Sequence, residues 1–298
     1  MPWAWTSGLK SNKLMEGIIH MILVTGATGN VGKELVRLLV DKGRHFRVMV
    51  RDPKKLAVQS NLMEIAIGDL DKPETLLPAM QGIDKLFFVT PDTKQVTQLL
   101  QAAKQAGVKN VVKLSTIEAD RSLGPGKWHR QQEELIKGMG FTWTFLRPTM
   151  MMVNTLEWWG ETIKSMNAVY FPGGNGKVPP VDPYDVASVA YTVLTEPGHE
   201  GKIYELTGPE SFTIGEMVGV LTKVLGKPIQ YRDVPVFAAA LGMLRFGLPI
   251  YLVIGLMQTL GALRRSEYAY MTDCVESVGK GKPRTFEQWC LHHKEAFQ

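Results

Sequence analysis

The sequence predicts an α/β fold: a doubly wound parallel sheet over residues 21–150, then a smaller, mainly helical region over 151–298. Three observations carry this. From Met21 onward, short apolar runs rich in β-branched residues alternate with longer amphipathic segments, as strands and covering helices do in a parallel sheet. A glycine-rich turn joins the first such run to the first amphipathic segment. The 298 residues are 45% hydrophobic and 21% charged, a globular composition in a chain long enough to bury its own core.

Residues 1–20 read as a loose N-terminal extension. They include Trp3 and Trp5 but no apolar run of the ~7–15 residues that a secretory signal needs, and Met15 or Met21 could serve as the start. Strands are expected at Met21–Thr25, Phe46–Val50, Met63–Ile67, Lys85–Val89, Asn110–Leu114 and Phe141–Leu146, each short and apolar, as in strands buried on both faces. Between them, Val31, Leu35, Leu38 and Leu39 recur at helical spacing and stop at Gly43. Val96, Leu99, Leu100 and Ala103 repeat the pattern and stop at Gly107.

After Pro148 the alternation fades and Met, Trp and Gly become frequent. A helix is expected at Ala187–Leu194, a strand at Ile203–Leu206, and a helix at Thr213–Leu225 with Glu216 at capping-box spacing from Thr213. Asp182 and Asp185, on either side of Tyr184 just before a helix, read as capping residues. Between Val234 and Leu263 the only charge is Arg245, and the uncharged run Phe246–Leu263 sits at the lower edge of a membrane-spanning length. Pro249, Gly255 and Gly261 interrupt it, so a buried helix pair lining an apolar pocket is expected in place of a transmembrane segment.

Lys and Arg number 34 against 29 Asp and Glu, a formal charge of +5 without the basic block that marks nucleic-acid contact. Cys274 and Cys290 stand far apart with no Cys or His ligand set nearby, so neither a disulfide scaffold nor a metal site is expected and a reducing, cytoplasmic setting fits. A homodimer is compatible with all of this.

The segment Ile22-Leu-Val-Thr-Gly26-Ala-Thr28-Gly29-Asn30-Val31-Gly32 is a strand, a turn and a helix start in that order. Gly26 permits a tight turn, Gly29 lets the backbone approach a pyrophosphate, and Gly32 lets helix and strand pack closely. Thr28 and Asn30 add side-chain donors beside the free N–H groups of the helix start. A dinucleotide is the ligand such a turn serves. The second strand ends at Arg51, where an NAD-preferring site usually carries an acid. The guanidinium fork of Arg51, with Lys54 and Lys55 behind it, suits a 2′-phosphate and favours NADP, while the nearby Asp52 keeps NADH use compatible.

The Gly-X-X-Gly-X-X-Gly spacing resembles the extended and atypical short-chain dehydrogenase/reductase superfamily. Gly68-Asp69-Leu70 resembles its adenine-contacting turn, and Phe88-Val89-Thr90-Pro91 its cofactor-side loop. Ser115 and Thr116 stand at the end of the fifth strand, as that superfamily's serine does, but no Tyr occurs between Ser115 and Arg147, so its usual proton donor is missing. His129, Glu133, Leu146-Arg147-Pro148 and Asn154 resemble the NmrA-like family instead. The likeness extends through Val181-Asp-Pro-Tyr-Asp-Val-Ala187 to Gly279–Trp289, and the N-terminal extension and Met150–Met152 depart from it.

This resemblance implies a Rossmann-type domain holding NADP through Gly26, Thr28, Gly29, Asn30, Val31, Gly32, Arg51, Lys55, Asp69, Leu70, Val89, Thr90, Ser115 and Pro148. It implies one of two functions. One is NAD(P)H-dependent reduction of a quinone-like or other electron-poor aromatic acceptor without a flavin; the other is non-catalytic sensing of NADP(H). In the first, His129 is the expected catalytic residue, orienting or protonating the acceptor with a pKa near ~6.5. Thr116, Met150, Met151 and Trp158 would wall the acceptor pocket, although Met150–Met152 serve equally well as core and an aromatic pair such as Trp158 and Trp159 in an amphipathic helix is more often core.

Overall fold

The structure, a computed structural model, describes residues 20–298 apart from Pro91 and 122–123. The expected extension with Trp3, Trp5 and Met15, and Pro91 of the cofactor-side loop, fall outside the described residues.

The first part of the chain runs β1 (Ile22–Thr25), α1 (Asn30–Asp41), β2 (Phe46–Val50), β3 (Met63–Ile67), α2 (Leu76–Met80), β4 (Lys85–Phe88), α3 (Thr93–Ala106), β5 (Asn110–Leu114), α4 (Gly126–Gly138) and β6 (Thr142–Pro148). It continues with α5 (Asn154–Met166), β7 (Ala168–Phe171), β8 (Lys177–Val178), α6 (Pro183–Thr195), β9 (Lys202–Leu206), β10 (Phe212–Thr213), α7 (Ile214–Leu225) and β11 (Gln230–Asp233). The last elements are α8 (Val236–Arg245), α9 (Ile250–Arg264), α10 (Cys274–Gly279) and α11 (Phe286–His292).

Seven parallel strands form one sheet in the order β3-β2-β1-β4-β5-β6-β9. The chain runs from β1 through β2 to β3 at one edge and then crosses back to β4 on the other side of β1, so strand order reverses between β1 and β4 and opens a crevice at their carboxyl ends. Residues alternate across the sheet with period two: Val24, Val48 and Phe87 pack under α1 and α6, while Leu23, Leu86 and Val111 pack under α2 and α3. Burial on both faces explains the continuous apolar runs of the central strands.

β3 departs from that expectation. As an edge strand it leaves Ile65 and Ile67 exposed, and Glu64 meets Arg47 of β2 at 2.6 Å. β9 is a seventh strand paired to β6 in register Leu146↔Tyr204, so residues beyond 150 complete the sheet, and α6 packs on α1. A third core gathers Trp159, Met217, Leu221, Phe286 and Trp289 from α5, α7 and α11. The predicted capping box opens α7: Thr213 Oγ1 accepts from Glu216 N at 3.1 Å, and Glu216 Oε2 accepts from Thr213 N at 2.7 Å.

The apolar run at 234–263 folds as α8 and α9, broken around Gly247 and Pro249, and no helix among the described residues is long and apolar enough to cross a membrane. The expected burial of this pair does not hold. α8 has no buried residue and α9 buries only Val253, Leu260 and Ala262, while Phe237, Phe246, Ile250 and Tyr251 are exposed. Being apolar all round, the two helices turn one side to a cavity and leave the other uncovered.

Candidate functional site

The glycine turn after β1 is closed by Gly29 N donating to Gly26 O at 2.9 Å, and the first bond of α1 runs from Lys33 N to Gly29 O at 3.0 Å. The N–H groups of Asn30, Val31 and Gly32 therefore have no acceptor within the helix and give its start a partial positive charge. Gly26 sits at φ +66°, and a Cβ on Gly32 would lie 2.0 Å from Gly26 O, so both positions demand glycine. Val31 offers only its backbone, because its side chain is in the core.

A groove of about 260 Å³ runs from this turn past Arg51, Asp52 and Lys55 to Asp69 and Leu70, and back to Val89. The Arg51 guanidinium is exposed and makes no hydrogen bond or ion pair among the described residues. Asp52 is already engaged, accepting from Lys54 N at 3.0 Å as the cap of the turn at Pro53–Lys55. The Thr25 hydroxyl, also lining the groove, is buried without a hydrogen-bond partner among the described residues. Free N–H groups, an unpaired guanidinium and an orphan hydroxyl form a donor set that fits the phosphates and sugars of a dinucleotide. Asn30 points elsewhere: its Nδ2 donates to Glu157 Oε1 of α5 at 3.4 Å.

Val89 also lines a second cavity, of about 910 Å³, so the two spaces adjoin. Thr90, Ser115, Thr116, Pro148, Met150 and Met151 line it from the carboxyl ends of β4, β5 and β6. His129, Asn154 and Trp158 close its sides, and Met243, Leu256 and Leu260 of α8 and α9 cover it. The methionine run divides: Met150 and Met151 face the cavity, while Met152 is core. Trp158 stacks on Phe171 at 5.4 Å in the wall, whereas Trp159 is fully buried. Thr90 spends its hydroxyl proton on Gln95 Oε1 at 2.7 Å.

His129 and Glu133, four residues apart, share the face of α4 turned to the sheet. Glu133 accepts from Ser115 Oγ at 2.5 Å and from Arg147 Nε and Nη2 at 3.1 and 2.6 Å. The Ser115 hydroxyl thus donates its one O–H to Glu133 and has only lone pairs left for a ligand. His129 Nδ1 lies 2.7 Å from Lys113 Nζ, and the fully buried Lys113 also donates to Leu114 O at 3.1 Å. Nδ1 accepts from the amine, which leaves the ring proton on Nε2.

The expected ionisation of His129 is overturned here. Burial, and secondarily the neighbouring Lys113 charge, lower its pKa to about 3, so the ring is a neutral N–H donor at neutral pH. Burial likewise lowers Lys113 to about 7 against the pull of Glu133, with Arg147 pushing the same way as burial.

Sequence reasoning passed over Lys113, although a lysine inside a strand expected to be buried on both faces was a readable signal. It also passed over Glu118 and Tyr268, which line the large cavity. The Glu118 carboxyl, raised to about 7 by burial, accepts from Thr116 Oγ1 at 3.4 Å, and the Tyr268 hydroxyl is buried without a partner among the described residues. Tyr268 comes from a part of the chain without periodic pattern. Asp182 caps α6 as expected, accepting from Tyr184 N at 2.8 Å, whereas Asp185 lies within the helix and accepts from Arg284 N at 2.8 Å.

The profile of a family described as NAD(P)H-binding matches residues 26–197. The chain is 36% identical to an NAD(P)H azoreductase of Xenophilus azovorans, over 93% of this chain and 99% of the relative. It is 30% identical to quinone oxidoreductase 2 of Escherichia coli (strain K12), over 77% and 83% respectively. Among solved structures, an NADPH-dependent quinone oxidoreductase of Escherichia coli complexed with NADPH superposes with a TM-score of 0.80 at 27% identity, covering 91% of this chain and 99% of the other. The Citrobacter sp. triphenylmethane reductase complexed with NADP(H) gives 0.76 at 26% identity, covering 93% and 99%. With a family profile spanning more than half the chain and a 36% identical relative matched over 99% of its length, this protein belongs to the NAD(P)H-binding family, among its NmrA-like reductases.

Proposed function

We propose that this protein is an NADPH-dependent reductase passing hydride directly, without a flavin, to a quinone-like or other flat, electron-poor aromatic acceptor. The observation that carries the reading is the junction at Val89 of a cationic, donor-lined groove with a large apolar cavity. The relatives named for azo, quinone and triphenylmethane substrates support the acceptor class.

Bound NADPH supplies two electrons as a hydride from its nicotinamide ring. The turn at Gly26, Thr28 and Gly29 and the N–H groups of Asn30, Val31 and Gly32 hold the pyrophosphate. Arg51 and Lys55 take the 2′-phosphate, Asp69 and Leu70 flank the adenosine, and Val89, Thr90, Ser115 and Pro148 border the nicotinamide end. Thr116, Met150, Met151 and Trp158 pack against the acceptor, excluding water and fixing its approach. His129 presents its Nε2–H to the atom on which negative charge develops.

Residues 21–150 thus act as the cofactor part and 151–298 as the acceptor part, with α6 and β9 returning to the sheet. Two unpaired cysteines and dependence on NADPH support a cytoplasmic setting. The test is NADPH oxidation by the purified protein, followed by absorbance, against a panel of quinones and azo dyes. Acceptor-dependent oxidation is expected. Tight NADPH binding with no turnover on any of them would leave the NADP(H)-sensing role.

A further inference from the structure

We propose that Lys113 is the proton reservoir of this site, handing a proton from Nζ to Nδ1 of His129 as His129 gives its Nε2 proton to the reduced acceptor. The inference rests on the reductase reading above and names how its proton arrives.

His129 lines the large cavity and Lys113 does not, so the imidazole stands between the amine and the acceptor space. The contact is 2.7 Å, and Lys113 is fully buried. Glu133, the carboxylate of the same face of α4, is already filled by Arg147 and Ser115, and Asp120 lies beyond Arg147 at 3.4 Å. Its remaining neighbours are the Leu114 carbonyl oxygen, which accepts from Nζ at 3.1 Å, and the Phe88 ring of β4, 6.0 Å away. A buried lysine without its own carboxylate is costly, and its partner here is the one imidazole that lines the cavity.

The two groups divide the task. His129, lowered to about 3, cannot store a proton as imidazolium but can pass one between its nitrogens. Lys113, brought to about 7, is a partly loaded acid at neutral pH.

As the acceptor takes the hydride, His129 Nε2–H breaks and an O–H or N–H bond forms on the acceptor. One N–H of the Lys113 ammonium breaks and Nδ1–H forms. Lys113 is left as the neutral amine and His129 as its other tautomer. After the product leaves, a water-borne proton enters at Nε2 and the Nδ1 proton returns to Lys113. In sum, NADPH, a proton and the acceptor give NADP⁺ and the reduced acceptor.

Two measurements test the relay. In the cofactor-free protein labelled with ¹⁵N-histidine, His129 should keep Nε2–H and a bare Nδ1 from about pH 5 to 9, with one shift of the Nδ1 resonance near neutrality as Lys113 discharges. A protonated Nδ1, or ordinary His titration near ~6.5, would overturn the proposal. In turnover, Lys113→Met and Lys113→Arg should each lower kcat by ~10–100-fold and remove its limb near neutral pH, with NADPH affinity and acceptor KM within about twofold. Arginine retains charge and donors but does not release a proton, so recovery of kcat in Lys113→Arg would reduce Lys113 to a prop for the ring. A wild type that turns over beside an equally fast Lys113→Met overturns the relay alone. A wild type that binds NADPH but reduces no acceptor overturns the reductase reading and the relay together, and the histidine spectra would still report the pairing.

Discussion

Arg147 grips Glu133 with two of its nitrogens, at 2.6 and 3.1 Å, and both side chains are buried. The pair ties α4 to β6, and the Ser115 hydroxyl adds β5 as a third anchor. One helical turn before Glu133, His129 inherits its position from this clamp.

Breaking the clamp from one side should be severe. Arg147→Met leaves a buried carboxylate supported by Ser115 alone and is expected to cost about 3–5 kcal/mol in urea denaturation. Replacing both partners, Glu133→Leu with Arg147→Met, should restore most of that stability, because two charges no longer need removing from water. A single variant losing less than ~1 kcal/mol would mean that the pair is solvated in solution.

The glycine turn makes a sharper demand. Gly32→Ala places a methyl group 2.0 Å from the Gly26 carbonyl oxygen, a backbone atom that cannot move without opening the turn. NADPH affinity by isothermal titration should fall at least ~100-fold, since the first N–H groups of α1 lose their common aim. Unchanged affinity would place the cofactor elsewhere.

Cofactor choice should follow Arg51. Its guanidinium is unpaired among the described residues, and Asp52, the acid next to the position that serves a ribose in NAD-preferring sites, is spent capping the next turn. Arg51→Ala is expected to remove a charge-assisted contact of ~1.5–3 kcal/mol, weakening NADPH by roughly 10–100-fold and NADH by less than about twofold. Equal losses for both cofactors would speak for stacking on the adenine.

Local patterns made the sheet and the groove legible in the sequence. The β1 turn is contiguous, its glycines answer steric needs within a few residues, and the central strands carry their double burial as unbroken apolar runs. Ile65 and Ile67 look like core in a pattern, yet lie exposed because edge position is a property of topology. The large cavity was only half legible. Its floor, at the ends of β5 and β6, adjoins recognisable strands. Its cover by α8 and α9, and the entry of Tyr268, depend on packing between segments far apart in the chain. The state of His129 was hidden for the same reason: an isolated imidazole titrates near ~6.5, and only the fold sets Lys113 against Nδ1.

The acceptor cavity should itself respond to pH through Glu118. This carboxyl lines the apolar space, and burial, opposed mainly by the Thr116 hydrogen bond, raises it to about 7. Below that value it is a neutral acid able to donate to an acceptor oxygen; above it a carboxylate stands in the cavity and must be desolvated again whenever an uncharged ring binds. KM for a neutral quinone is therefore expected to rise by ~3–10-fold between about pH 6 and 8. In Glu118→Gln the KM profile should be flat, while the kcat limb assigned to Lys113 persists. A carboxyl raised on folding contributes stability that is present below its unfolded pKa of 4.5 and lost as pH rises through about 7. Glu118→Gln should thus gain stability relative to wild type above neutrality, and a KM profile in that variant still rising through neutrality would move the effect to another group.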